Sequence, residues 1–365
     1  MKVQKIRLSD GSLSWTVLDA KQRPILPIAL FLQFLLNAGR SPNTIRTYAH
    51  HLQTWWVYLE SSQKEWKRVN LAWLADFIDW LRRPDPSAKP IGAVLIESAR
   101  KPSTLNAIVS AVIAFYDYHE RMDSLDGHRL NAKTTRLGGS PHYQAFLKGI
   151  APQTTAHSVV AQSVPKREVE ILTEQQVQTL IEACHKKRDG FLLSLLYQTG
   201  MRIGQALGLH HQDIETWHNL IRVVPRADNA NQARAKTLEP YTVHVSEGLM
   251  AHYSHYLVEE YPTDLDSEYV FVVLTGEQRG RPLSYQAVRS LFKRLGHKTG
   301  IITHPHVLRH THITELVQQG VDLPVIQKRV GHQSIQTTIQ TYTHLTDADM
   351  ENELKKYHQS KESRK

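Results

Sequence analysis

Cysteine is almost absent from this chain: Cys184 is the only one in 365 residues. A single thiol excludes an internal disulfide and a multi-cysteine zinc site. Its setting, Leu180-Ile181-Glu182-Ala183-Cys184, reads as a core or boundary position on an amphipathic helix. No apolar run reaches the roughly 18 residues that a membrane-crossing helix needs; the apolar stretch 25–36 is short and contains Gln33. The first residues lack the basic-then-apolar layout of a secretory signal, so a soluble, cytoplasmic protein with no membrane partner is expected. A glycine-rich phosphate loop ending in Lys-Ser or Lys-Thr is missing, as is the His-Glu-x-x-His pattern of zinc hydrolases. No fixed-period repeat is found.

Hydrophobic residues make up 41% of the chain, enough for sizeable cores, and its length suits two or three domains. Lys and Arg number 44 against 35 acidic residues, a formal charge of +9. Such an excess favours phosphate polymers through charge neutralisation and counterion release, although many basic proteins never touch nucleic acid.

Patterning divides the chain. Residues 1–24 read as an N-terminal arm of strand character, with Leu13, Trp15 and Val17 alternating and Asp10-Gly11 as a hairpin turn. Residues 25–150 read as a helical domain. Ser41-Pro42-Asn43 opens one helix, with Ile45, Tyr48, Leu52, Trp55 and Leu59 at three-to-four spacing. Leu71, Leu74, Phe77, Ile78 and Leu81 form a second stripe, stopped at Arg82-Arg83-Pro84, and Ser103 opens a third helix through Leu105, Ile108, Val112, Phe115 and Tyr116. Helical spacing assigns Trp55, Trp56, Trp73 and Trp80 to core packing rather than base stacking. Residues 151–170 have few large apolar side chains and read as a linker.

A second domain, 171–350, opens on Thr173 with Gln176 at the capping-box position. Helices are expected at about 173–187, 190–198 and 202–208. Strands over 220–224 and 241–245 flank a polar hairpin, helices then return, and 351–365 form a polar tail. The fold class is mainly α with a small antiparallel sheet: a helical domain followed by an α+β domain.

The chemistry-bearing motifs crowd into this second domain. In Thr199-Gly200-Met201-Arg202 a helix stops at Gly200 and another starts near Arg202, whose planar fork suits two oxygens of one phosphate. A carboxylate partner near the turn is the plainer alternative for that arginine. In His304-Pro305-His306-Val307-Leu308-Arg309-His310-Thr311-His312, His306 and Arg309 share a helical face. They are placed to grip a phosphodiester, or simply to be solvated at a helix start. In Val330-Gly331-His332, His332 follows a helix end, where a histidine also suits the helix dipole. Tyr342 follows ten residues later. Tyrosine has a pKa near 10, so attack at neutral pH needs cationic neighbours or a base. Arg46, Lys293, Arg294 and Lys298 are candidates for contact with a DNA backbone or for solvated surface charge.

The order Arg202, Lys236, His306-x-x-Arg309, Gly331-His332 and Tyr342 resembles the tyrosine recombinases, also called phage integrases. The resemblance runs over about residues 25–350. The helical domain is similar to the family's core-binding domain, with Asn43-Thr44-Ile45-Arg46-Thr47-Tyr48 and Ser103-Thr104-Leu105-Asn106 in fitting places, and 171–350 to its catalytic domain. The hairpin run from Asn229 to Lys236 and the long spacing from His332 to Tyr342 are most similar to the transposase A recombinases of site-specific bacterial transposons.

The resemblance implies site-specific strand exchange of double-stranded DNA, for integration or excision of a mobile element. Arg202 and Arg309 are then expected to hold the non-bridging oxygens, and Tyr342 to attack phosphorus, giving a 3′-phosphotyrosyl link. His306 would assist proton transfer, His332 would hydrogen-bond the phosphate, and Lys236 would protonate the leaving 5′-oxygen. The covalent link conserves bond energy, so no cofactor is expected. Two domains closing on duplex DNA, a tetramer on paired sites and additional transposition proteins are also implied. Two positions depart from the family's commonest pattern: Gln205 stands where an acid is usual, and Tyr342 lies one residue further from His332. The alternatives weighed are a DNA-binding regulator with a decayed site and a metal hydrolase built on the His304–His312 cluster, in which Arg309 would repel a cation.

Overall fold

The first 83 residues fold around a stripe of side chains that repeats every three to four positions. The computed structural model describes residues 1–8, 11, 13–83, 100–122, 169–226, 229–231, 233, 239–262, 264 and 266–331. They divide between two compact units, Met1–Lys166 and Arg167–Lys365.

In the first unit, β1 (Lys2–Arg7) and β2 (Leu13–Leu18) form an antiparallel hairpin with Val3 opposite Val17. The hairpin expected as an arm is part of the unit's core. Val17 is fully buried, and Ser14 and Thr16, on the opposite face of the strand, are buried too. The alternation in the sequence marks the strand but not the helices that cover it. Helix α1 (Leu26–Asn37) buries Ile28, Phe31, Leu32 and Leu35, the i, i+3, i+4, i+7 stripe of an amphipathic helix.

Helix α2 (Pro42–Ser61) starts where the capping signal put it: the Ser41 hydroxyl accepts from the Thr44 N–H at 3.2 Å, with Pro42 in the first turn. Helix α3 (Leu71–Arg82) is capped by Asn70, which accepts from the Trp73 N–H at 2.9 Å. It ends immediately before the Arg83-Pro84 step, where proline disfavours α geometry in the preceding residue. Helix α4 (Pro102–Arg121) begins one residue earlier than Ser103, because proline fits the first helical turn.

Trp55 is the centre of this core. Its ring is fully buried against Phe77 and Tyr116. Its indole N–H donates to the Tyr116 hydroxyl at 3.1 Å, which donates onward to the Trp66 carbonyl at 2.9 Å. Trp56, Trp73 and Trp80 pack on the same core as partly buried side chains, the role that helical spacing assigned to them.

In the second unit, α5 (Glu174–Glu182) opens with the expected capping box: Gln176 N–H to Thr173 hydroxyl, 3.2 Å, and Thr173 N–H to Gln176 Oε1, 2.9 Å. The helix stops five residues short of 187. Its Ala183 cap carbonyl accepts from Lys298 Nζ at 2.9 Å, a tertiary contact with no local signature. Helix α6 (Lys187–Thr199) begins three residues before the expected 190. Arg188 and Asp189 form a buried pair at 2.6 Å, and Arg188 also donates to the Val272 carbonyl at 2.8 Å.

A short α7 (Ile203–Ala206) replaces the longer helix expected over 202–208. Next come β3 (Ile214–Glu215), β4 (Leu220–Val223) and β5 (Tyr241–His244), an antiparallel sheet in sequence order. β3 is too short to show a period. Four helices complete the described part: α8 (Glu247–Glu259), α9 (Tyr285–Thr299), α10 (Pro305–Gln318) and α11 (Leu323–Val330). Between α8 and α9, Val270, Phe271 and Val272 enter the core with Leu192, Leu195 and Leu196 of α6. Cys184 is half-buried beside this core, and burial pushes its thiol up to about 12. Residues 151–168 of the expected linker 151–170, the Asp10 turn residue, most of the β4–β5 connection and the tail 351–365 lie outside the described residues. Among the described residues no helix is long and apolar enough to cross a membrane.

Removing Trp55 empties the largest fully buried side chain of the first unit and strips Tyr116 of a donor. Trp55→Ala should cost about 3–5 kcal/mol, read as a lower urea midpoint in equilibrium unfolding followed by fluorescence of the remaining tryptophans.

Candidate active site

Two helix ends made by glycine build the site. Gly200 caps α6 with φ +63°, and Gly331 caps α11 with φ +62°. Both sit in the left-handed region that glycine enters without steric cost. Space also demands glycine at 200: a Cβ there would lie 2.6 Å from His312 Cδ2 and 3.2 Å from Val330 Cγ1. Three elements, α6, α10 and α11, therefore converge on one backbone carbon.

Arg202 follows as the N-cap of α7. Its N–H is held by the Gln205 side-chain oxygen at 2.8 Å, and its Nη1 donates to the Gly331 carbonyl at 3.1 Å. Gln205 is buried. It supplies the acceptor that an acid would supply, without adding a negative charge beside the arginines. Arg309, on α10, is 3% exposed and donates from Nη1 to the Gly200 carbonyl at 2.5 Å. Both guanidiniums thus rest on carbonyls at helix C-terminal caps, where the helix dipole favours a cation.

His306 lies one turn before Arg309, between His304 and His310, with ring centroids 6.4 Å apart on each side. Desolvation by its neighbours, then the charges of His310, Arg309, His304 and Arg202, push its pKa down to about 4, although the residue keeps an exposed surface. Desolvation and then Arg309 and His304 lower His310 as well, against a small opposing pull from Glu170. Burial, then Arg329 and Arg309, bring His312 down to about 3. At neutral pH these imidazoles are uncharged and present lone pairs. The Tyr241 phenol, at the start of β5, is raised by burial while Arg309, Gln205 and Arg202 pull it the other way.

The structure thus gathers Arg202, His306 and Arg309 around the Gly200 turn, with the Gly331 backbone tied in by Arg202. Lys236, His332 and Tyr342 lie outside the described residues. Lys293 is exposed in a groove of about 820 Å³, shared with Gln286, Arg289, His304 and His306. Lys298 is engaged by the α5 cap, and Arg294 and Lys298 both act on Cys184; neither lines that groove. Arg46, in the first unit, is exposed with its guanidinium 5.1 Å from the Trp15 ring centroid. Sequence reasoning passed over Arg289, Tyr241 and Arg329. Arg289 carried an available signal, because it sits one turn before Lys293 on α9.

A cluster of fixed cations with neutral imidazoles can bind an anion and accept a proton. A bound phosphodiester would offset the charges that depress His306 and so raise its pKa toward the working range. Among the described residues no three His, Cys, Asp or Glu side chains converge as metal ligands would.

His306 and His312 have folded pKa values of about 4 and about 3, below the unfolded value of about 6.5. The unfolded chain therefore takes up these protons first. The stability the two groups contribute is complete above about pH 6.5 and is lost as pH falls through their folded values. Urea midpoints of the second unit should fall from pH 7.5 to pH 5, and His312→Gln should flatten that fall; equal slopes for the two proteins would contradict the assignment to His312.

Comparison with known proteins places this geometry. Residues 170–349 match the phage integrase family, and residues 28–122 match the phage integrase N-terminal SAM-like domain. The chain is 37% identical over 366 residues to transposase A from transposon Tn554 of Staphylococcus aureus, covering 100% of both chains. It is 28% identical over 310 residues to the tyrosine recombinase XerA of Thermococcus onnurineus, covering 84% of this chain and 86% of that one. Among solved structures, the Tn1549 transposon integrase in complex with transposon right end DNA shares the fold with a TM-score of 0.64 at 16% identity, covering 91% of this chain and 99% of that one. With full-length similarity to a transposase and both family domains present in order, the chain belongs to the phage integrase family and is a tyrosine-type site-specific recombinase.

Proposed function

We propose that this recombinase breaks and rejoins double-stranded DNA at the ends of a mobile element, through a covalent link to Tyr342. The observation that carries the reading is the meeting of Arg202 and Arg309 at the Gly200 turn beside a neutral His306. Two guanidiniums held on rigid helix ends form a preorganised cradle for the charge that grows on a phosphorus centre under attack, and such preorganisation is worth most where little solvent needs to reorient.

The steps follow from that cradle. The phosphate binds with its non-bridging oxygens on Arg202 and Arg309. The Tyr342 oxygen attacks phosphorus and its proton passes to His306, which holds a free lone pair at neutral pH. The bond from phosphorus to the 5′-oxygen breaks, and Lys236 supplies the proton that the leaving oxygen needs. His332 donates a hydrogen bond to the phosphate. The product is a 3′-phosphotyrosyl link and a free 5′-hydroxyl, and attack by another 5′-hydroxyl reverses the sequence. One phosphodiester is exchanged for another of similar energy, so the reaction needs no nucleotide. Similarity to Tn554 transposase A and to a transposon integrase solved on transposon-end DNA supports the choice of a mobile element. A tetramer on paired sites, working beside further transposition proteins, extends the same reading.

The test uses labelled DNA from the ends of the element, nicked near the cut so that the released strand diffuses away, incubated with the full chain in EDTA and run on a denaturing gel. The unsubstituted protein should form a covalent adduct. Tyr342→Phe should bind the DNA and form none. Arg309→Ala should slow adduct formation by about 10²-fold or more. Recombination by Tyr342→Phe at the normal rate would overturn the proposal.

A further inference from the structure

Arg329 does not appear among the groups that hold or attack the phosphate, yet its guanidinium bridges the elements beside them. It lies in the last turn of α11, two residues before Gly331, and is partly buried. Its guanidinium makes three hydrogen bonds in three directions. Nη2 donates to the Gln198 carbonyl at 2.9 Å, Nη1 to the His244 carbonyl at 3.1 Å, and Nε to His312 Nε2 at 3.2 Å. All three acceptors are neutral. Burial with no carboxylate among these partners disfavours the cation and lowers its pKa. A side chain held at that cost, with every bond directed at the frame, is engaged in fixing geometry rather than in simple charge pairing.

The elements it joins are those that carry the site. Gln198 is the penultimate residue of α6, two residues before Gly200, whose carbonyl anchors Arg309, and four before Arg202. His244 ends β5, the strand that leaves the connection bearing Lys236. His312 is on α10, one turn after Arg309. Arg329 itself is on the helix that leads through Gly331, held by Arg202, to His332 and Tyr342. One planar fork thus spaces four elements whose contacting residues run from 198 to 329 in sequence. Lysine offers a single nitrogen on a flexible stem and cannot reach the same three directions.

His312 completes the device. To accept from Arg329 Nε its Nε2 must carry a lone pair, so the ring is neutral with its proton on Nδ1. Its Cδ2 edge fills the space a Cβ would take at Gly200. Contact along that edge transmits the position of Arg329 to the turn between the two phosphate-gripping arginines.

We propose that Arg329 is a positioning residue for strand cleavage, which sets the separation of Arg202 and Arg309 by bridging α6, β5, α10 and α11. The role rests on the recombinase reading given above. It acts on the rate of the chemical step and not on DNA affinity, because the guanidinium is committed to protein acceptors.

The experiment measures three quantities for each full-length variant: melting temperature, Kd for nicked element-end DNA, and the single-turnover rate of adduct formation at saturating protein. Arg329→Lys and Arg329→Met should leave Kd within about threefold and slow cleavage by about 10²-fold, the scale of a small misplacement at a reacting centre. His312→Leu, which removes the acceptor, should match Arg329→Met. His312→Gln, which keeps an acceptor oxygen, should recover most of the rate that His312→Leu loses. The double variant His312→Leu with Arg329→Met should be little slower than either single variant, because both break one contact. Rates that fall only in proportion to the folded fraction, or affinity lost in step with rate, would overturn the positioning role, as would normal cleavage by Arg329→Lys. Absence of any adduct from the unsubstituted protein would overturn the recombinase reading itself and the role of Arg329 with it.

Discussion

The hydrogen bond from Arg309 to the Gly200 carbonyl is the contact on which the rest of the site depends. It places a nearly fully buried guanidinium at the C-terminal cap of α6, where an unsatisfied carbonyl and the helix dipole partly offset the cost of removing a cation from water. A buried charge needs such compensation to remain charged, and a remaining positive charge is what a phosphate requires. The arrangement works only because residue 200 is glycine: the left-handed turn exposes the carbonyl, and the missing Cβ lets His312 approach. Arg202 repeats the device at Gly331, so two glycine-ended helices present two fixed cations to the same region.

The charges that make this region attract an anion also make its histidines neutral. His306, His310 and His312 are all shifted down by desolvation, and arginine charge adds to the shift in each. In the proposed mechanism the shift of His306 has chemical value, since a neutral imidazole can take a proton. For His312 it has structural value, since a neutral ring can accept from Arg329. One electrostatic condition therefore serves both catalysis and packing. Gln205 fits within it, holding the Arg202 backbone without the negative charge that an acid would bring.

Much of the fold was legible locally. The caps at Ser41 and Thr173 and the apolar stripes of α2 and α3 depend on neighbours within four residues, so periodicity and capping chemistry located them. The departures share one cause. α5 ends early because Lys298 satisfies its cap, α6 starts early because Arg188 and Asp189 pair in the interior, and the N-terminal hairpin is core rather than arm because α1 and α2 cover it. Each involves a partner remote in sequence. Among the proposed site residues, Arg202, His306 and Arg309 stood out in the sequence because their motifs are dense. Arg329 adjoined one of those motifs, but nothing local distinguishes a three-way bridge from a solvated arginine.

By itself the sequence set out the groups proposed for the chemistry and their order: two arginines with a lysine between them, a histidine three residues before the second arginine, and a tyrosine eleven residues after Gly331. It determined the glycines too, since only that residue turns a helix end without strain at positions 200 and 331. The tertiary structure alone decided that Arg202 and Arg309 meet at the Gly200 turn and that Arg329 bridges the surrounding elements. It decided as well that His306, His310 and His312 are shifted down by desolvation and arginine charge, and that Lys298 serves a helix end while Lys293 stays exposed in the groove. A residue's identity sets what it can donate or accept, but its charge state and its partners depend on neighbours that only folding supplies.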